Sequence, residues 1–332
     1  MLFRYLTSFA FLTLLPLGEW LGGAWTFAAA AACLFSIAGL DSILGESRLA
    51  SQQPRGIASR WLPRVYILLQ LGVTAWMAVR VAQSTTSLLE AAGLTLSTGL
   101  MTGIFGFVAA HEMIHSRKSR ERALGLTLLG SVFYMQFRIA HVYGHHRRAA
   151  TPADPATARL GEGLYTFVAR SAVGQFREAW AFETKRKLGN RMIGYLAIEA
   201  TFALAIAAIS LRALAFFAAV AVIAIFVLES FNYVAHYGLT RRVGYDGRVE
   251  RLGPRHSWNS ARRMNNASLL NMGRHSDHHR RMTTSYEELK PLPGQTELPS
   301  GYASALLTAL VPPLWRRVMD PRVEAVTSAE AR

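Results

Sequence analysis

Nine of the ten histidines in this chain fall into four compact groups. His111 and His115 lie in HEMIH; His141, His145 and His146 in HVYGHH; His236 alone in ESFNYVAHYG; and His275, His278 and His279 in HSDHH, while only His256 stands apart. Residues four apart on a helix share a face, so His111 and His115 can grip one ion from a single helix. The two HH pairs present adjacent imidazoles that diverge, which suits two ions better than one. Neutral imidazole is a ligand for iron, zinc, copper and nickel, and nine candidates exceed the demand of any single ion. The pattern therefore points to a dinuclear metal centre. Alone, HEMIH would also read as a zinc-protease helix with Glu112 as general base, HSDHH as a solvated polar turn, and His236 as a structural histidine at a helix end. A protease reading leaves six or seven histidines without a role.

The elements that must carry these groups are apolar. The chain has 332 residues, of which 51% are hydrophobic and only 17% charged. The apolar residues gather in runs close to the roughly 20 needed for a helix to cross a bilayer. Six spans are expected, at about 3–19, 24–43, 63–82, 90–113, 191–210 and 213–236. The N-terminal stretch is read as the first of them rather than as a signal peptide, because no small-residue cleavage site follows it. The expected fold is an all-α integral membrane domain, one unit over 1–332, with a histidine-rich cap formed by 114–190 and 237–332.

Charge gives the expected orientation. Of the 36 Lys and Arg residues, 14 lie in 114–191 and 15 in 238–332, with Arg48, Arg55 and Arg60 between the second and third spans. By the positive-inside rule, both termini and both long segments face the cytoplasm. The stretch 123–137, bounded by Arg122 and Arg138, is too short for a span and reads as an interfacial helix. So does SALLTALVPPLW, which Pro312 and Pro313 would interrupt. The net charge of +15 follows from this topology and does not point to nucleic acid. The single cysteine, Cys33, allows neither an internal disulfide nor an iron–sulfur site, so electrons must come from another protein.

These boxes resemble those of the membrane fatty-acid desaturase and hydroxylase superfamily, and more narrowly those of the alkane 1-monooxygenases. The similarity is carried by GHHRRAATPADPATARLGE at 144–162, NYVAHYGL at 232–239, RHSDHH at 274–279, LPSGY at 298–302 and PPLWRRVMDPRV at 312–323. It covers roughly 111–323, with the first three spans matching in hydropathy only. The resemblance implies two non-haem iron ions held by the nine grouped histidines, which use dioxygen to hydroxylate an apolar substrate such as an n-alkane. It also implies electrons from a rubredoxin or ferredoxin, supplied by an NAD(P)H-dependent reductase, in the inner membrane of a bacterium.

The chain departs from the family's usual pattern at three points. Ser116 and Arg117 follow the first pair where a Lys is usual, and Ala140 and Ala235 stand where a Glu usually precedes a box histidine. Glu112 and Asp277, inside the boxes, and Glu229 and Asn232, seven and four positions before His236, are candidates to brace the ligands. Asp154 and Glu162 are expected to brace the cap. Glu199, within the fifth span, has no assigned role. Arg117, Lys118, Arg147, Arg148, Arg280 and Arg281 would suit an acidic electron carrier. Three other readings remain. One is a xylene-monooxygenase-like hydroxylase of aromatic methyl groups, one is a lipid or fatty-acyl desaturase or hydroxylase, and one is a metal transporter or sensor.

Overall fold

The computed structural model describes residues 2–47 and 56–331. Arg48 and Arg55, counted above toward orientation, lie outside the described residues. Among the described residues the chain is helical, with no strand beyond isolated β-bridges.

Among the described residues, four helices are long and apolar enough to cross a membrane: Ser59–Ala82, Leu88–Ile114, Arg191–Ile209 and Leu211–His236. A bent pair, Gly23–Phe35 with Ala38–Leu44, makes a fifth if it acts as one span. We number the elements α1 (Thr7–Leu21), α2 (23–44), α3 (Ile57–Ala82), α4 (Leu88–Ile114), α5 (Ser119–Ser131), α6 (137–148), α7 (Leu164–Thr184), α8 (Arg191–Ile209), α9 (Leu211–His236), α10 (Arg263–Ser268), α11 (His275–Arg280), α12 (Tyr302–Ala309) and α13 (Pro312–Ala331). At 15 residues, α1 falls short of the roughly 20 that a straight crossing requires.

Local chemistry sets the helix ends. Ser87 and Glu90 form a capping box at the start of α4, and Glu90 Oε1 also accepts the Gly23 N–H at 2.9 Å, tying this turn to the α1–α2 turn. Ser210 breaks α8 from α9 and caps α9 through the Ala213 N–H. Arg212 sits just inside α9 and donates to the carbonyls of Gln83 and Thr86. Pro312 and Pro313 occupy the first turn of α13, where a missing N–H costs nothing. The stretch 123–137 divides between α5, whose Gly125, Leu128 and Leu129 are buried, and the turn into α6.

Helices pack closely where small residues permit, as membrane helices do. On α4, a Cβ at Gly99 would fall 2.7 Å from Ile223 of α9, and one at Gly103 would fall 2.7 Å from Val227. Gly125 of α5 sits against the backbone of α4, where a Cβ would meet the Ala110 carbonyl oxygen at 2.9 Å. This contact fixes α5 against the turn of α4 that carries His111. Next to the site, π-helical segments interrupt the regular winding at Thr102–Gly106 within α4 and at Ala140–His145 within α6, and a further one lies at Ala32–Ser36 within α2. The first is held by Gln70 of α3, which donates to Thr102 Oγ1 at 3.0 Å.

Gly125→Ala should therefore destabilise the protein by about 1–3 kcal/mol, because the backbone it meets cannot rotate away. Gly194→Ala on α8, where nothing lies within 4 Å, should be neutral. Thermal unfolding of the two variants in the same detergent measures the difference.

Candidate metal centre

The four histidine groups come together. His111 and His115 sit on the last turn of α4, His141, His145 and His146 on α6, His236 at the last position of α9, and His275, His278 and His279 on α11. Their ring nitrogens form two sets. His111, His115, His141, His146 and His278 make one, and His145, His236, His275 and His279 the other; within each set the ligand atoms lie within 4.8 Å of one another. Each HH pair is divided between the sets, as divergent neighbours require.

Within the five-histidine set, His111 Nε2 lies 2.8 Å from His141 Nε2 and 3.2 Å from His115 Nε2. His146 Nε2 is 3.1 Å from the Nε2 atoms of both His141 and His278. In the four-histidine set, the Nε2 atoms of His236, His275 and His279 are mutually 3.1–3.2 Å apart. His145 and His146 part company because the π turn widens the winding to i→i+5, which brings His146 rather than His145 round to His141.

Two anchors turn the four-histidine set inward. His145 Nδ1 meets Asp154 Oδ2 at 2.8 Å, and that carboxylate also accepts the Thr157 hydroxyl at 2.7 Å and the Ala156 N–H at 3.2 Å. His236 Nδ1 donates to the backbone carbonyl of His256 at 3.2 Å. With Nδ1 held by Asp154, His145 Nε2 is left buried and without a partner, on the side of the other three rings. A carboxylate behind an imidazole fixes the tautomer and raises the basicity of the free nitrogen.

Burial, followed by the neighbouring imidazoles, holds His141, His146, His275, His278 and His279 well below the ordinary imidazole range. They are therefore neutral, the form that ligates metal. Burial works against ionisation of Asp154, but His145 and the hydrogen bonds outweigh it and hold the carboxyl below its usual range. Neither set contains a carboxylate. Converging neutral nitrogens with a buried, unpartnered Nε2 fit divalent cations, one per set.

The expected supporting residues are distributed differently. Glu229 is fully buried and touches no histidine: it accepts from Tyr134, Ser171, Gln175 and, at 3.2 Å, Asn232 Nδ2. Asp277 pairs with Arg281 and accepts the Lys290 N–H at 2.8 Å. Glu112 accepts the Tyr286 N–H and lines a polar cleft with Arg60, Arg64, Arg117 and Lys118. Glu162 is ion-paired with Arg170, and Glu199 accepts the Met135 N–H. Arg148 is paired with Glu178, whereas Arg117, Lys118, Arg147 and Arg280 are exposed. Sequence reasoning missed Tyr134, Ser171 and Gln175. The polar pair at i and i+4 on the buried face of α7 was the available signal. It also missed the contribution of His256, which is made by a carbonyl and carries no side-chain signature.

An apolar cavity of about 50 Å³ abuts His111, His141 and His275. Phe107, Phe137, Leu228 and Phe231 wall it, and Ala235 opens onto it where a larger side chain would fill space.

Comparison with known proteins agrees with this site. The fatty acid desaturase family model matches residues 86–294. The chain is similar to alkane 1-monooxygenase 2 of Pseudomonas aeruginosa, 36% identical over 95% of this chain and 90% of that protein. It is 39% identical to alkane 1-monooxygenase 1 of the same organism over 80% of this chain and 74% of the relative. The hydroxylase component of xylene/toluene monooxygenase of Pseudomonas putida is 30% identical over 68% of this chain and 63% of its own length.

Asp154→Ala should weaken metal binding by about 10- to 100-fold, as loss of such an outer carboxylate does elsewhere. His256→Ala, which keeps the carbonyl that meets His236, should leave metal content nearly unchanged. Metal analysis after dialysis against a graded chelator series separates the two, and equal losses would contradict this account of the anchors.

Proposed function

The chain belongs to the alkane 1-monooxygenase family, among the fatty acid desaturases, and on that premise we propose that it hydroxylates an unactivated C–H bond of an apolar substrate such as an n-alkane. The observation that carries this reading is the division of nine buried histidines into two converging sets beside an apolar cavity. The balance is one dioxygen, two electrons and two protons, giving alcohol and water. His111, His115, His141, His146 and His278 would hold one iron and His145, His236, His275 and His279 the other. Bound there, the two ions would supply the reductive activation of dioxygen that no side chain of the protein can supply.

The protein's own part is placement and exclusion of water. The cavity presents Phe107, Phe137 and Leu228 to the substrate and histidine edges at one side, so a chain end seated there meets the centre while its tail stays among apolar residues. A second apolar groove of about 340 Å³, lined by Leu100, Ile104, Phe226, Val227 and Leu306, lies along α4 and α9 next to the cavity residues Gly103 and Leu228. It suits a substrate that arrives from lipid.

We read α1, α2, α3, α4, α8 and α9 as six passes, with the termini, both histidine-rich segments and the metal centre on the cytoplasmic side of a bacterial inner membrane. The concentration of Lys and Arg in 114–191 and 238–332 supports this orientation. The exposed Arg117, Lys118, Arg147 and Arg280 suit an acidic carrier of the rubredoxin type. Arg148 and Arg281, each bound to an acidic neighbour, contribute less charge to such a surface.

The test is a product screen. Membranes containing the protein, with rubredoxin and reductase, should convert n-alkanes to alcohols, and purified protein should carry about two irons per chain. His145→Ala and His278→Ala should each lower the iron content and abolish turnover. An alkene product would favour a desaturase, and benzylic alcohol from xylene without alkane turnover would favour the aromatic reading.

A further inference from the structure

The cavity beside the centre is apolar except at a few points, and only one of these is free to do more than build the wall. Apart from histidines, its polar residues are Asn232 and Tyr302. The Tyr302 hydroxyl is engaged, donating to the Trp258 carbonyl at 2.6 Å. Asn232 gives one N–H to Glu229 Oε2 at 3.2 Å. A carboxylate oxygen only accepts, so this bond fixes which end of the amide is nitrogen. The amide carbonyl and its second N–H are then left for whatever occupies the cavity.

Glu229 holds that orientation firmly. Its two oxygens also accept the Tyr134 hydroxyl at 2.9 Å, the Ser171 hydroxyl at 2.6 Å and Gln175 Nε2 at 2.8 and 2.9 Å, donors that come from the chain before α6 and from α7. Asn232 also lies four residues before His236 on α9, hence on the face of the helix that reaches the centre.

Resting on the reaction proposed above, we propose that Asn232 binds the hydroxyl of the alcohol product, with Glu229 as the positioning residue that sets its amide. A hydrocarbon offers nothing to an amide. A hydroxyl both donates and accepts, so it can use the free carbonyl and N–H together. The cavity therefore discriminates between the compound before and after oxygen insertion at this one residue. The apolar walls, Phe107, Phe137, Leu228 and Phe231, offer only carbon and treat the two alike. Removal of Asn232 leaves Glu229 with three other partners, so the packing of α7 against α9 survives.

The experiment compares the wild type with Asn232→Leu and Asn232→Thr, with n-decane as substrate and 1-decanol as inhibitor. Asn232→Leu should weaken inhibition by 1-decanol about tenfold, the order expected for loss of a hydrogen-bonded contact. The KM for n-decane should stay within about twofold. Asn232→Thr, which keeps one hydroxyl in the cavity, should fall between. Glu229→Gln should move the inhibition constant in the same direction while Asn232 remains in place. Independently of turnover, 1-decanol should raise the melting temperature of wild-type protein more than n-decane does, and Asn232→Leu should lose that difference. Unchanged inhibition and melting behaviour in Asn232→Leu would overturn the proposal. So would a parallel rise of KM and inhibition constant, which would mark a merely structural side chain. Failure of the wild type to make any alcohol would sink the hydroxylase reading instead, and the melting comparison would still decide the role of Asn232.

Discussion

Nine imidazoles facing one another inside an apolar protein cannot all satisfy each other. Each neutral ring has one donor and one acceptor nitrogen, and the Nε2 atoms of His236, His275 and His279 lie mutually 3.1–3.2 Å apart, three atoms in a closed triangle. Whatever tautomers are chosen, some of these contacts pair like with like, and buried polar atoms left unmatched are expensive. A cation between the rings removes the conflict, since every nitrogen can then present a lone pair. The remainder of the fold has to hold these rings together, from four separate stretches of chain.

The membrane helices do this by ending at the right place rather than by reaching into solvent. His111 and His115 come at the close of α4, and His236 is the last residue of α9. Close packing at Gly99, Gly103 and Gly125 fixes the depth at which those ends lie. The chain between α6 and α7 then folds back so that Asp154 can stand behind His145. Tyr237, Trp258, Tyr302 and Trp315 bury the segments that follow α9. The apolar cavity lies beside the rings, lined by Phe107 of α4, Phe137 of α6 and Phe231 of α9.

Much of this was legible in the sequence. The 3.6-residue spacing of HEMIH puts His111 and His115 on one helix face, and the structure gathers them in one set, as it gathers His275 and His279 in the other, because both pairs sit on regular helix. The same rule would have put His141 with His145. It fails there because a π turn runs through 140–145, and no residue in HVYGHH announces one. The long apolar runs at 63–82, 90–113, 191–210 and 213–236 correspond to helices α3, α4, α8 and α9. The two N-terminal runs gave a 15-residue helix and a bent element, which hydropathy averaging cannot distinguish from straight spans. Asp154 was expected only to brace the cap, since its partnership with His145 depends on the path of the chain. Glu229 was singled out by its spacing from His236, as a candidate to brace the ligands, and the spacing says nothing of what the carboxylate meets. Its partners proved to be Tyr134, Ser171 and Gln175, which no local spacing connects to it.

The two nitrogen sets are not built alike, and the difference follows from their ligand count. The five-histidine set draws on α4 and α6 twice each, so helix geometry itself aims four of its rings. His115 and His146 of this set, like His279 of the other, leave Nδ1 buried without a partner. The four-histidine set has only one such helical pair, His275 with His279, and takes its other rings singly from α6 and from the end of α9. A ring without a helical partner in its own set can swivel about its side-chain bonds, and of the three such rings, His145, His236 and His278, the first two are fixed from behind. The two outer contacts found here fall on those two rings: Asp154 on His145 and the His256 carbonyl on His236. Fewer imidazoles with firmer anchors and more imidazoles with helical aim are two solutions to one requirement, that nitrogen lone pairs be in place before a metal arrives.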